Sequence, residues 1–249
     1  MAELHIVPVP GLPEITRGAD LALLIANAVT KTTRTVDIDD IFVVAQKIVS
    51  KAEGAVVKLD EVSPSPAAEE WAAAHHKDPR IIEVILRESR RIVRMAHGVI
   101  IAETHHGFVC ANAGVDTSNV PPGFVTLLPR DPDASAARLR DALIGAFGCS
   151  VSVIVADTFG RPWREGAVNV AIGVAGLRPL LDYRGCADSF GRTLQSTVIA
   201  IADELASAAE LVMRKTKGTP VAIVRGASEW GGEGRARTLV RDASRDLFR

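Results

Sequence analysis

The stretch Val153-Ile-Val-Ala-Asp157-Thr158-Phe-Gly-Arg161 belongs to an apolar run, Ser150 to Ala156, that ends in a carboxylate, a hydroxyl, a glycine and an arginine. A continuous apolar run of this length reads as a strand buried on both faces. A carboxylate at the end of such a strand is costly unless something pairs it. A divalent cation is a common partner. Asp with Thr supplies the hard oxygen ligands that magnesium or manganese takes, with waters and substrate phosphates completing the octahedron. A second segment, Asn112-Ala-Gly-Val-Asp116-Thr-Ser-Asn119, offers another aspartate beside amide and hydroxyl groups. Together the two segments point to a metal–phosphate site.

Outward from this strand the chain mixes strands and helices. Leu4 to Val9 alternates as a strand and stops at Pro10-Gly11-Leu12-Pro13. Asp20 to Val29 has helical spacing, Asp40 to Ala45 reads as a buried strand, and Val56 to Leu59 as a short one. Ser63-Pro-Ser-Pro66 introduces a helix from Ala67 to His76. Pro79 opens another, expected to reach about Arg94, with Ile81, Ile82, Ile85, Ile92 and Val93 on its apolar face. Val99 to Glu103 and Phe108 to Ala111 form a hairpin candidate around His105-His106. Asp133 or Ser135 is placed to cap a helix reaching Phe147. Val168 to Val174 reads as a strand, Leu194 to Met213 as a long helix, and Val221 to Arg225 as a last buried strand. No regular βαβ rhythm appears, so the expectation is an α+β fold rather than a doubly wound sheet. GxGxxG and GxxxxGK[ST] are both missing, so a nucleotide would bind through neither a Rossmann turn nor a P-loop.

Composition narrows the function classes. The 249 residues are 47% apolar and 24% charged, an ordinary globular balance with enough chain for one large domain or two small interlocked ones. A net charge of −1 gives no reason to expect nucleic acid or a membrane as partner. Cys110, Cys149 and Cys186 form no CxxC pair, which argues against a zinc or disulfide framework and fits a reduced cytoplasm. Met1 to Ile15 lacks the pattern of a secretion signal, and no apolar run approaches the ~20 residues of a membrane span.

Six motifs in order carry a family resemblance: Gly11-Leu-Pro, Val49-Ser-Lys51-Ala-Glu53-Gly54, Asn112 to Asn119, Asp157-Thr-Phe-Gly-Arg161, Ala171-Ile-Gly-Val-Ala-Gly176 and Pro220-Val-Ala-Ile-Val-Arg-Gly226. The chain resembles the coenzyme F-420-0:L-glutamate ligase (γ-glutamyl ligase) family over nearly its whole length, residues 1–249. The resemblance implies a GTP-dependent, GDP-forming amide ligase. It would join L-glutamate to the carboxylate of a deazaflavin precursor and could extend the tail through γ-linkages. It further implies magnesium or manganese, leaves potassium open as a further ion, and suggests an intertwined homodimer with two interlocked subdomains in the cytoplasm.

Residue by residue, the resemblance makes Asp116, Asp157 and Thr158 metal ligands, and Asp116, Asp157 and Lys51 catalytic. Leu12, Pro13, Glu14, Ile15, Gln46, Lys47, Lys51 and Asn119 match nucleotide-contacting positions. The plain alternatives are a helix cap for Asp157, a turn for Asp116 and Asn119, and a solvated side chain for Lys51. Arg161 and Arg164 suit acyl or phosphate recognition, with an interface ion pair as the competing reading. His105 and His106, adjacent on a strand, face opposite ways and do not readily share an ion. Where archaeal relatives carry an acidic, glycine-rich stretch, this chain has Met213-Arg214-Lys215-Thr216-Lys217-Gly218. An acid ligand for a second ion is then missing: either another residue supplies it, or Lys215 or Lys217 takes over part of the phosphate neutralisation, which leaves one or two metal ions open. Glu53 and Glu165 are guesses for the base that deprotonates the amine. The rival functions are a metal-dependent phosphotransferase or phosphohydrolase, and a non-catalytic nucleotide-binding relative.

Overall fold

The computed structural model describes residues 3–32 and 35–247. In chain order its elements are β1 (His5–Pro8), α1 (Leu21–Lys31), β2 (Asp40–Ala45), α2 (Gln46–Glu53), β3 (Val56–Lys58), α3 (Pro66–His75), α4 (Pro79–Glu88), β4 (Ser89–Ala96), β5 (Val99–Thr104), β6 (Val109–Ala111), β7 (Phe124–Thr126), α5 (Pro132–Phe147), β8 (Val151–Arg161), β9 (Arg164–Ala175), β10 (Leu181–Asp182), β11 (Val198–Ile199), α6 (Ile201–Met213) and β12 (Val221–Arg225).

The main sheet has the order β1-β12-β2-β8-β9. Only β2 and β8 run parallel, and the other neighbours are antiparallel. This is the expected α+β arrangement, not a doubly wound one. The strands are apolar on both faces because both faces are covered. Phe42, Val44, Val153, Val155, Val221 and Ile223 point to one layer, shared with α1 and α5. Ile41, Val43, Ile154, Ala156, Ala222 and Val224 point to the other, shared with α6. Each Val, Ile or Phe among them contributes roughly 1.5–3 kcal/mol when fully buried. Ile172 is the extra residue of a bulge, since Val155 pairs with Gly173 and Ala156 with Ala171. Gly173 has no substitute: a Cβ there would lie 2.2 Å from the Pro132 carbonyl oxygen at the start of α5.

The outer edge of β9 is closed by side chains rather than by another strand. Asp203 and Ser207 of α6 bond to Ala171 N–H and the Asn169 carbonyl, and Asp133 accepts from Val174 N–H. Such cover is what an exposed sheet edge needs. It also corrects the capping expectation. Asp131 caps α5 by accepting from Ala134 N–H, while Asp133 is spent on β9 and on Ala236 N–H.

A second core gathers α3, α4 and the three-stranded sheet β4-β5-β6, around Val62, Ile82, Ile85, Ile100 and Val125. Here the helix expected from Pro79 to Arg94 ends at Glu88. Ser89 is already extended at φ −94°, ψ 121°, and β4 pairs with β5. Two register shifts in β4 break its alternation, which is why its apolar positions imitate a helical face. The helix expected from Leu194 likewise begins only at Ile201. The β-branched Thr197-Val198-Ile199 instead zips onto residues 181–183. Among the described residues no helix is long and apolar enough to cross a membrane.

Candidate active site

The parallel pair ends at Ala45↔Ala156. There β2 turns into α2, while β8 runs on to Arg161 with β9 alone beside it. The missing continuation of β2 leaves a notch in the sheet. A cavity of about 420 Å3 opens there, within the ~300–1,000 Å3 usual for small-ligand sites. Sites at the carboxyl ends of parallel strands arise for this topological reason.

Asp157 and Thr158 face opposite sides of β8, yet both line the cavity because the notch exposes the strand edge. Asp157 is therefore inside a long strand, paired with Val170, and caps no helix. Among the described residues it has no ion-pair partner. Burial pushes its carboxyl up to about 6, the Thr158 N–H pulls against this, and Asp116 adds to the rise, with Lys47 and Lys215 opposing. Thr158 donates to Asn169 Oδ1 at 2.8 Å.

Asp116 arrives from the second core through a bridge to Thr126. Its carboxylate accepts from Ser118 N–H at 2.6 Å and Ser118 Oγ at 3.0 Å, an Asx-type turn. Lys47 Nζ reaches it at 2.7 Å and also bonds the Ser118 carbonyl. Burial alone would raise the Asp116 carboxyl, but the Lys47 and Ser118 contacts outweigh it and hold it below the ordinary aspartate value.

Beside the aspartates lies α2, whose Lys47 bridges to Asp116. Its N-cap, Ala45, offers no side-chain cap, and its first turn lines the cavity. Uncapped N–H groups at a positive helix end suit an anion. At the far side the C-terminal turn of α6 brings Glu210, Met213 and Arg214, and its negative end suits a cation. Lys51, buried in α2, pairs with Glu14. It lies in the last turn of the helix, which Gly54 in the left-handed conformation (φ 76°) ends just beyond it.

The structure thus brings Leu12, Pro13, Glu14 and Ile15 to one wall, and Gln46, Lys47 and Lys51 to another. Asp116, Asn119, Asp157, Thr158 and Lys215 line the same cavity. Gln46 spends its amide on Ser50 and the Leu127 carbonyl, tying α2 to the second core. Lys217 does not line the cavity, nor do Arg161, Arg164, Glu53 or Glu165. Glu53 is held by Ser135 and Arg138, and Arg161 bonds carbonyls at the β8–β9 tip. His105 and His106 bond different carbonyls, of Arg87 and Pro129. Burial pushes the Cys110 thiol up to about 12, so it is an inert core residue. Asn169 and Glu210 are cavity residues that the sequence reading passed over.

Comparison with known proteins decides the family. The model of the family described as "F420-0:Gamma-glutamyl ligase" matches residues 11–226. The chain belongs to this family. It is 47% identical to the coenzyme F420:L-glutamate ligase of Methanothermobacter thermautotrophicus, over 99% of each chain. It is 49% identical to the one from Methanopyrus kandleri, over 99% of this chain and 98% of that one. The relative of the same name from Archaeoglobus fulgidus is 39% identical over 99% and 96%.

The donor set fits a divalent cation. Among the described residues no three His, Cys, Asp or Glu side chains converge to hold an ion unaided. Two carboxylates and a hydroxyl beside an anion-favouring helix end match an ion that shares its coordination with phosphate. Asp157 gives this a consequence for stability. An unfolded aspartate titrates near 3.8, so the folded chain keeps this proton to higher pH. The group's contribution to stability is full below about 3.8 and is lost as pH rises through about 6. Above pH 7, metal-stripped Asp157→Asn is expected to exceed wild type by on the order of 1–3 kcal/mol, the gap closing toward pH 4. Urea unfolding at both pH values measures this. A variant no more stable than wild type at pH 8 contradicts the burial of the charge.

Proposed function

We propose that this family member is a GTP-dependent ligase that joins L-glutamate to coenzyme F-420-0 through an acyl phosphate. The observation that carries the reading is the make-up of the cavity: an uncapped helix N-terminus with Lys47 and Lys51 stands beside Asp116, Asp157 and Thr158, and Lys47 bridges to Asp116. A carboxylate is a poor electrophile toward an amine. Transfer of the γ-phosphoryl group from GTP to that carboxylate forms the acyl phosphate and releases GDP. The glutamate amine, having lost a proton, then attacks the acyl carbon. The C–N bond forms, the C–O bond to phosphate breaks, and inorganic phosphate leaves.

Lys51, Lys47 and the first turn of α2 stabilise the charge that develops on the transferring phosphoryl group. A magnesium or manganese ion would be held by Asp116, Asp157 and Thr158 and would supply Lewis-acid neutralisation of the nucleotide phosphates. Leu12 to Ile15 and Asn119 offer apolar and backbone contacts to the base. Potassium as a further ion, and γ-linked extension of the tail, complete the reading. We place the protein in the cytoplasm as an intertwined homodimer with two interlocked subdomains; exposed aromatics at the β8–β9 tip (Trp163, 81% exposed) and in the connection before α6 (Phe190, 90%) support the dimer.

The acyl phosphate is tested with F-420-0 labelled with 18O in its carboxylate. Label in the released phosphate supports the intermediate. Unlabelled phosphate with amide formation overturns it. GTP is expected to outpace ATP under matched metal conditions, and equal turnover would overturn that preference.

The basic segment also separates by position. Lys215 lines the cavity and Lys217 does not. Lys215→Ala is expected to lower turnover tenfold or more, a transition-state loss of about 1.4 kcal/mol. Lys217→Ala stays near wild type. Steady-state kinetics checks both, and unchanged rates in Lys215→Ala leave the segment as a favourable charge at the end of α6 only.

A further inference from the structure

Asn169 is 5% exposed and stands directly across from Thr158 in the β8–β9 pair. Its side chain links two cavity residues. Thr158 Oγ1 donates to Asn169 Oδ1 at 2.8 Å, and Asn169 Nδ2 donates to Glu210 Oε2 at 3.1 Å. The order of this chain is forced. A carboxylate only accepts, so Glu210 turns the amide NH2 toward itself and the amide oxygen toward Thr158. The single hydroxyl proton of Thr158 is thereby given away, and its lone pairs are left for the cavity. A hydroxyl in that state offers oxygen to a cation and has no proton for a phosphate. Ser207 Oγ, one turn before Glu210 on α6, bonds the Asn169 carbonyl at 2.7 Å and fixes the backbone of the same residue.

We propose that Asn169 is a positioning residue that sets the Thr158 hydroxyl as an oxygen ligand for a divalent cation, with Glu210 fixing the Asn169 amide in turn. The proposal rests on the reading of the cavity as a metal–nucleotide site. It explains why a buried asparagine and a glutamate that sequence motifs do not mark face this cavity. It also gives both residues a role besides direct ligation.

Mn2+ binding to the metal-stripped protein, followed by loss of the free-ion paramagnetic resonance signal, tests it without turnover. Asn169→Leu, which releases the ligand hydroxyl, is expected to weaken Mn2+ by about tenfold, the usual scale for groups that orient a ligand, and Thr158→Val, which removes that hydroxyl, by a similar factor. The double variant should be no weaker than either single one within about twofold, because both remove the same interaction. The reversed pair Asn169→Asp with Glu210→Gln should recover affinity, since the glutamine amide donates and the aspartate still accepts from Thr158. Thermal midpoints confirm folding, and Asn169→Ser replaces Asn169→Leu if the latter does not fold. Multiplying effects in the double variant, or a folded reversed pair that stays weak, overturn the proposal. If Asp157→Asn loses Mn2+ while Thr158→Val and Asn169→Leu keep it, the proposal alone falls. If Asp157→Asn binds Mn2+ as wild type does, the reading of the cavity falls with it.

Discussion

Asp116→Asn and Asp157→Asn each slow glutamate ligation by on the order of a hundredfold or more while the fold persists. Both carboxylates line the notch beyond Ala45↔Ala156, and neither belongs to a hydrophobic core. Asparagine keeps the shape and most hydrogen bonds but removes the charge that a cation needs. At Asp116 the amide oxygen, in the place of Oδ1, still accepts from Ser118 N–H, so the turn survives, while the amide NH2 in the place of Oδ2 gives up the bond from Lys47. At Asp157 the amide relieves a buried charge, so stability above pH 7 rises as activity is lost. This opposition is the diagnostic feature: a structural aspartate would lose both together. Single-turnover rates with thermal midpoints measure the two sides. Turnover near wild type at limiting metal would remove these residues from the site.

Lys51→Met is expected to lower kcat by about a hundredfold, the scale of losing one preorganised donor to transition-state charge. Lys51 is 8% exposed and lies in the last turn of α2, its ammonium drawn to Glu14 at the opposite wall. Glu14 remains largely in solvent when that partner is removed, so the stability cost is limited to about 1 kcal/mol. A kcat within threefold of wild type, with the GTP KM unchanged, would make Lys51–Glu14 a structural strut between the Gly11–Ile15 loop and α2. A raised KM with normal kcat would mean that the lysine binds nucleotide equally in the ground and transition states.

Much of this site was legible because its residues sit where local pattern changes abruptly. The apolar run into Asp157 and the turn chemistry around Asp116 stand out in the sequence, and their cavity partners Lys47 and Lys51 follow a buried strand directly. The notch itself was not legible. It depends on β8 outrunning β2, and Phe159 to Arg161 carry no strand signal distinct from a loop. Asn169 and Glu210 stayed hidden for a related reason: they are 41 residues apart and meet only through the packing of α6 on β9. The boundary errors share one cause. Bulges in β4 convert a period of two into something close to a helical period. The apolar residues before Ile201 extend the α6 pattern although Thr197 to Ile199 prefer an extended backbone. Lys215 and Lys217 show the limit of motif position alone, since of two basic residues two positions apart only Lys215 lines the cavity.

The proposed function turns on amide formation driven by GTP at this cavity. The most direct measurement incubates the protein with GTP, L-glutamate, a divalent metal and F-420-0, and follows the deazaflavin by mass spectrometry. Addition of a glutamate residue is expected with equal release of GDP and phosphate, and loss of all three in Asp157→Asn. Release of phosphate with no added glutamate, or binding of nucleotide with neither product, would contradict it.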